Sequence, residues 1–196
     1  MKLKRSILVY IISLFFILPI QAQELLYESV PPRFAGKVNL LSYTAATFSI
    51  GGEMKLSEHT SFDLSLLYNP WEFKDNKKMK HVLIQPEGRY WFCETFYGSF
   101  VGVHLHYGKY NIGGTGFTDY MKEHRFEGWL AGGGVSYGYH WILSGSLSLE
   151  ATVGVGYTHL DYGVYPCEKC GEKIKDQTRG FFGPTRLGVS LIYTIK

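Results

Sequence analysis

The C-terminal stretch of the chain, residues 185–196, alternates between two kinds of side chain. Its apolar and aromatic positions are Leu187, Val189, Leu191, Tyr193 and Ile195, and the intervening ones are Arg186, Gly188, Ser190, Ile192 and Thr194. A period of two residues with β-branched and aromatic side chains indicates a strand with one apolar face. Because an unpaired edge exposes a row of backbone N–H and C=O groups, this last strand needs a partner. We predict that it closes a barrel against the first strand.

The same period of two recurs in earlier segments, and we predict eight strands in all. Their approximate ranges are 37–45, 47–56, 60–70, 80–92, 96–109, 127–141, 146–160 and 180–195. Most of them are nine residues or longer, which matches the roughly 9–11 residues of a tilted transmembrane strand. Strands in soluble domains are most often about five or six residues long. Beyond the N-terminal segment we find no helical period, so the sequence predicts an all-β protein.

The direction in which the polar faces point distinguishes a membrane barrel from a soluble, lipocalin-like one. Glycines fall mostly on the polar face, where they leave room for long charged side chains in a narrow lumen. Aromatic residues gather near the strand ends, as they do in the interfacial girdles of membrane barrels. We therefore predict an eight-stranded antiparallel up-and-down transmembrane β-barrel with a plugged polar lumen.

The connections between the predicted strands are alternately short and long, which also favours a membrane barrel. The short ones are 57–60, 93–95 and 143–146, and the long ones are 71–79, 110–126 and 161–179. Short turns at one end and long loops at the other are typical of bacterial outer-membrane barrels. The first connection, near Ala45 and Ala46, departs from this rule because it is short.

The N-terminus has the pattern of a secretory signal peptide. A basic start is followed by an apolar run from Ile7 to Ile20 and a small residue, Ala22, at the expected cleavage position. We predict a signal peptide at 1–22, a short periplasmic leader at 23–35 and an outer-membrane barrel domain at 36–196.

Cleavage after Ala22 would remove Lys2, Lys4 and Arg5 and no acidic residue. The formal charge of +3 therefore belongs wholly to the predicted signal peptide. A neutral mature chain lacks the basic patch that nucleic-acid binding requires, so we predict no nucleic-acid partner.

Charged residues of several strands share the predicted inner face. Register arithmetic across the short turn places Glu53 beside Asp63, with Lys55 one pair away, and Asp63 near Glu87 or Arg89. The predicted polar cluster of the lumen is Glu53, Lys55, Asp63, Glu87, Arg89, His104, Glu150 and Arg186. Buried charges are tolerated only when they are paired, so we interpret the cluster as a salt-bridged plug. A proton pathway or a catalytic acid–base pair is the alternative.

Histidine and cysteine supply the other candidate sites. His104 and His106 lie on one face of the fifth strand, with Gln85 and Leu83 expected opposite them. Two histidines at this spacing could bind a metal ion, but the sequence offers no third ligand at the same level, so we predict no metal site. Cys167 and Cys170 form a CxxC motif in the last long loop, which we interpret as a local disulfide in an oxidising compartment. That leaves Cys93 free or buried in the wall. We find no catalytic motif and predict neither an enzyme nor a cofactor.

Several short motifs together resemble one known family. They are Lys37–Leu41, Tyr68–Trp71, Gln85–Trp91, Tyr110–Asn111, Tyr137–Trp141, Cys167–Gly171, Gly183–Thr185 and Leu191–Tyr193. In order and spacing they are similar to the domain-of-unknown-function 3575 family of Gram-negative outer-membrane β-barrel proteins, over about residues 36–196. The resemblance implies a location and a fold but no activity. It also implies an association with fimbria-type surface loci, which suggests a role in surface assembly or anchoring.

We accordingly predict a structural or interaction protein at the cell surface, accessory to fimbria or surface-structure assembly. Its expected partners are outer-membrane lipid, the barrel-assembly machinery and fimbrial or other surface proteins. A lipid-modifying outer-membrane enzyme and a soluble lipocalin-like binding barrel are the alternative hypotheses.

Overall fold

Eight antiparallel strands form one sheet that closes into a ring. The computed structural model describes residues 32–72, 78–114, 124–166 and 172–195. The strands are β1 (Phe34–Asn39), β2 (Phe48–Lys55), β3 (Thr60–Glu72), β4 (Lys78–Trp91), β5 (Gly98–Gly113), β6 (His124–Ser144), β7 (Leu147–Pro166) and β8 (Lys175–Ile195). Each strand pairs with its neighbour in the chain, and β8 pairs with β1 from Phe34–Ile195 to Asn39–Ser190. The expected closure of the last strand against the first is therefore confirmed.

The first predicted strand, 37–45, is wrong in its second half. β1 ends at Asn39, and a short helix, α1 (Leu40–Thr44), follows it. The side-chain oxygen of Asn39 accepts a hydrogen bond from Leu41 N at 3.1 Å, which satisfies an N–H group at the start of the helix. The same side chain also bonds Leu187 O and Val189 N of β8, so its amide continues the ladder where the backbone of β1 turns away.

The wall of the ring is uneven in height. β3 to β8 run into the segments 71–79, 110–126 and 161–179, which the sequence predicted to be long loops, so the connections that remain at this end are 73–77, 114–123 and 167–174. We call this end of the ring the upper end and keep the name long connections for these three segments. On the opposite side, β1 and β2 are short and are joined by α1. As a result, β8 has no strand partner among the described residues on its β1 side from Lys175 to Arg186.

Side-chain burial alternates along the strands with the polar side inward. The buried hydrophobic residues of the described part are Ala35, Trp91, Phe96, Phe100, Val164 and Ile192. Buried polar and charged residues are far more numerous, and leucine, valine, isoleucine and aromatic side chains dominate the exposed outer surface. Val103 and Leu105, for example, are 66% and 63% exposed. The ring is thus the inverse of a soluble protein, in which apolar side chains occupy the inside.

The described residues contain no helix of the length and apolar character needed to cross a membrane. The predicted signal peptide at 1–22 and most of the predicted leader lie outside the described residues.

Candidate functional site

Arg89 lies at the centre of a buried charged cluster inside the ring. Its Nε donates to Glu87 Oε1 at 2.8 Å, and Nη1 donates to Glu53 Oε2 at 2.7 Å and to Glu150 Oε2 at 2.8 Å. Nη2 completes a two-point contact with the Glu150 carboxylate at 3.1 Å. The planar guanidinium suits this role because its N–H groups reach several carboxylates at once. Strands β2, β4 and β7 are thereby tied together through the interior.

Two further cations complete the cluster. Lys37 of β1 contacts Glu53 Oε2 at 2.8 Å and also pairs with Asp63. Arg186 of β8 contacts Asp63 Oδ1 at 2.7 Å and Glu87 Oε2 at 3.0 Å. All the carboxylates and cations of the cluster are almost fully buried, so their attraction is little weakened by water.

The cluster contains three cations and four carboxylates. Because the carboxylates outnumber the cations by one, neutral hydrogen-bond donors satisfy some of the carboxylate oxygens. Ser61 Oγ donates to Glu53 Oε1 at 2.6 Å, and Thr152 Oγ1 donates to Glu150 Oε1 at 2.9 Å. A small polar cavity of about 130 Å³ lies beside the cluster, bounded in part by Lys37, Arg186 and Glu150. Interlocked charges of this kind hold the interior side chains in place and join the strands across the ring.

The structure brings most of the predicted cluster residues together. Register pairs Glu53 with Asp63 and Asp63 with Glu87, as the arithmetic across the first short turn and the next connection gave. Lys55 is different, since it forms no ion pair within the described residues. It shares the inner face with Glu53 but lies closer to the end of β2, where its side chain is half-exposed.

Lys37 is the functional residue that sequence reasoning missed. Its position opposite Gly51, on the inner face of β1, could have been found from the alternation of Ala35 and Lys37. Gly51 is needed there, because a Cβ at that residue would lie 2.8 Å from Lys37 Cγ.

Of the two histidines of β5, His104 lies at the edge of the charged cluster, with its Nδ1 3.9 Å from Glu87 Oε2, and His106 lies one level nearer the long connections. The sequence predicted His104 opposite Gln85, but its partner is Glu87, because the pairing of β4 with β5 begins at Trp91 and Phe100 and thus leaves residues 92–99 out of this pairing. His104 Nε2 lies 2.9 Å from Thr185 Oγ1, and His106 Nε2 lies 2.8 Å from Thr158 Oγ1.

Each histidine thus has a hydroxyl partner for one ring nitrogen. The described residues contain no group of three or more histidine, cysteine or acidic side chains placed to hold a metal ion.

An aromatic layer closes the interior towards the short connections. Trp91 and Phe100 lie with ring centroids 4.7 Å apart, and His140 and Phe96 pack against Trp91. Trp91 Nε1 donates to Ser61 Oγ at 2.8 Å, and the Arg89 guanidinium lies 4.2 Å from the centre of the Phe100 ring. The aromatic layer and the charged cluster are therefore one packed unit.

Interior glycines on β6 leave the space that these large side chains occupy. At Gly138, an added Cβ would lie 2.3 Å from Cζ of the fully buried Phe100. We expect Gly138→Ala to destabilise the folded protein by about 1–3 kcal/mol, because the added methyl group would overlap both the Phe100 ring and Ala151 O, 2.9 Å away. Urea unfolding of the purified protein measures this.

Gly88→Ala is the matched control, because a Cβ at Gly88 on the outer face meets no atom within 4 Å. A loss of stability at Gly88 equal to that at Gly138 would contradict the packing explanation.

The cysteines add no second site to the described structure. Cys93 is a free, exposed thiol in the connection between β4 and β5, so it does not lie buried in the wall. The predicted disulfide between Cys167 and Cys170 falls outside the described residues.

Comparison with known proteins gives one match. Residues 8–195 match the model of a family described as "Protein of unknown function (DUF3575)". No curated protein and no solved structure matches the chain.

Proposed function

The chain belongs to the DUF3575 family of proteins of unknown function, and we propose that it is a transmembrane β-barrel of the bacterial outer membrane. In this proposal it is a structural or interaction protein that presents the end carrying the long connections at the cell surface. The charged cluster and the aromatic layer are its plug and its internal support.

The inverted distribution of side chains carries this proposal. The interior holds paired charges and hydrogen-bonded polar groups, while the outer face is apolar on every strand between the two levels of exposed aromatic residues. In water such an outer surface would far exceed the few hundred Å² of contiguous apolar patch that soluble monomers normally expose. A lipid environment removes that cost, and a closed ring of strands satisfies its backbone groups within the sheet. The distribution therefore argues against a soluble lipocalin-like binder.

The height of the apolar surface fits a bilayer. Along β6, Trp129 and Tyr139 both point outward and are ten residues apart. With a rise of about 3.3 Å per residue and a strand tilt of about 40°, they are separated by about 25 Å along the axis of the ring. Membrane barrels have an apolar band of about this height between two aromatic girdles.

Exposed aromatic residues mark both ends of this band. Near the short connections they are Phe34, Tyr90, Phe92, Tyr137 and Tyr193, and near the long connections Phe48, Tyr68, Trp71, Tyr107 and Tyr157. Between them lie aliphatic residues such as Ile50, Leu64 and Val103. This arrangement supports an orientation in which both rings of aromatic side chains lie at membrane–water interfaces.

The plugged interior supports a structural role over a channel. Arg89, Trp91 and Phe100 occupy the middle of the ring and contact side chains from several other strands. By contrast, the strands β5 to β8 extend beyond the upper aromatic residues and carry exposed polar side chains there, such as Lys175, Thr178 and Arg179 of β8. We infer that partners, including fimbrial or other surface proteins, would meet this extension.

Epitope tags test the topology and the surface location together. We expect a tag inserted within 115–123 to bind antibody on intact cells, and a tag inserted at the Gly145–Ser146 turn to bind only after the outer membrane is permeabilised. Both tagged proteins should require detergent for extraction from the membrane fraction.

A soluble tagged protein, or equal accessibility of the two tags in intact cells, would refute the proposal. Crosslinking through the tag in 115–123 then asks which surface protein is in contact with this end.

A further inference from the structure

A hollow of about 550 Å³ lies on the outer surface of the ring, across strands β3 to β6. Tyr68 borders it on one side and Trp129 on the other. Between them are two lysines, Lys80 and Lys109, together with the polar side chains of Asn111 and Glu127. The hollow therefore places cationic, polar and aromatic side chains side by side on the outer face.

Of the two lysines in the hollow, Lys109 is the one that has no ion-pair partner among the described residues. It is exposed on the outer face of β5, directly between Val82 of β4 and Trp129 of β6. Within the described ranges it forms no ion pair, whereas Lys80 is paired with Glu72 and Asn111 donates to Glu127 at 3.0 Å. An anionic group in the hollow would therefore meet one free ammonium group and a second that it shares with Glu72.

The hollow lies where the apolar band ends. One step towards the short connections, the outward side chains are Leu66, Ile84 and Tyr107, which are all exposed. An amphipathic ligand could lay its alkyl chains over these residues while its polar head reached the lysines. Lysine side chains near a membrane surface attract anionic headgroups by roughly 1 kcal/mol each.

The aromatic borders narrow the class of ligand. The ring of Trp129 lies between those of Tyr107 and His159, with centroids 6.3 Å and 5.7 Å away, and the residue is 37% exposed, so part of the indole remains accessible. An exposed indole edge next to amide and carboxylate groups suits a sugar ring with its hydroxyl groups, and it is not needed for a simple phosphate ester. Glu127 would repel a bare anion but can accept hydrogen bonds from sugar hydroxyls.

We propose that this hollow binds the phosphorylated sugar headgroup of a glycolipid of the lipid A type. Lys109 and Lys80 hold the phosphate, the exposed part of the Trp129 indole packs on the sugar ring, and Asn111 and Glu127 bond its hydroxyl groups. The acyl chains lie over Leu66, Ile84 and Tyr107. This inference rests on the proposed insertion into the outer membrane, with the long connections outward.

Lipid binding to the purified protein tests the site. The protein is extracted from the membrane fraction in detergent, and native mass spectrometry measures binding of three probes: bisphosphorylated lipid A, the same lipid after phosphatase treatment, and phosphatidylglycerol. We expect lipid A to bind about tenfold more tightly than either of the others. Lys109→Ala should weaken lipid A binding about tenfold, and Trp129→Leu should remove the preference for lipid A over phosphatidylglycerol.

Lys175→Ala is the matched control, since it removes the same charge from an exposed position of β8 far from the hollow. Equal binding of lipid A and phosphatidylglycerol would overturn the sugar site, and unchanged lipid A binding in Lys109→Ala would overturn the role of the hollow.

Either of these results would leave membrane insertion intact, because insertion is measured separately by the need for detergent. A protein that is extracted without detergent would instead refute the proposed function itself.

Discussion

Replacing Arg89 with methionine is expected to destabilise the folded protein by about 3–5 kcal/mol, enough to prevent folding of a marginally stable domain. Arg89 contacts Glu53, Glu87 and Glu150 inside the ring, and all of these carboxylates are fully buried. Methionine fills a similar volume but leaves those charges without their main partner. The fraction of folded protein in detergent micelles and its urea unfolding midpoint measure the effect.

Two further variants test whether the loss of stability in Arg89→Met arises from the loss of the guanidinium as the partner of the buried carboxylates. Lys55→Met removes a positive charge from the same inner face, but from a residue without an ion pair in the described ranges, and is expected to change stability by less than about 0.5 kcal/mol. Arg89→Lys keeps the charge but loses the planar fork, so an intermediate loss is expected. If Arg89→Met were as stable as Lys55→Met, the cluster could not be the internal support.

Substituting arginine for Val103 is expected to reduce the stability of the membrane-inserted protein by about 2–4 kcal/mol. Val103 is 66% exposed and lies between Gly88 of β4 and Val135 of β6, about midway between the two aromatic girdles. On a soluble protein the same change at so exposed a position would be nearly neutral. Unfolding from lipid vesicles therefore separates the two environments.

Thr178→Arg is the control for the arginine side chain itself. Thr178 is exposed on the part of β8 that extends beyond the upper aromatic residues, opposite Asp161. We expect no measurable loss there. If Val103→Arg and Thr178→Arg both left the stability in vesicles unchanged, the outer face would not be in contact with lipid.

The sequence predicts the fold well wherever side-chain alternation is strict. The register of β2 with β3 follows from one short turn, because Glu53 and Asp63 lie at equal distances from it. Alternation also fixes which residues face inward, since a shift by one residue would reverse the whole face. Alternation does not determine which inward residues of different strands lie at the same level of the ring. The sequence therefore predicts Lys55 in the cluster, although it lies nearer the end of β2 than the residues that form ion pairs.

Other features depend on contacts that no local pattern reports. Asn39 ends β1 because its side chain forms hydrogen bonds both with the start of α1 and with the backbone of β8. Its partner on β8, Leu187, is 148 positions away in the chain. Alternation places Lys37 on the inner face, but its contacts with Asp63 of β3 and Glu150 of β7 form only once the ring has closed. The full lengths of β6 to β8 depend on pairing in segments whose composition resembles that of loops, such as Asp176–Gly180.

The uneven height of the wall leaves a strand edge that could promote aggregation with other chains. Between Lys175 and Arg186, on the side towards β1, β8 has no strand partner in the part of the chain that the structure describes, and its backbone groups there could template another strand. Natural proteins discourage such templating with charges, proline and irregular pairing along the free border. Lys175 and Arg179 place positive charge there, Pro184 lacks an N–H group, and the register shifts between Gly154 and Val155 opposite it. The side of the ring where β1 and β2 are short can therefore leave the border of β8 uncovered without making the protein prone to aggregate.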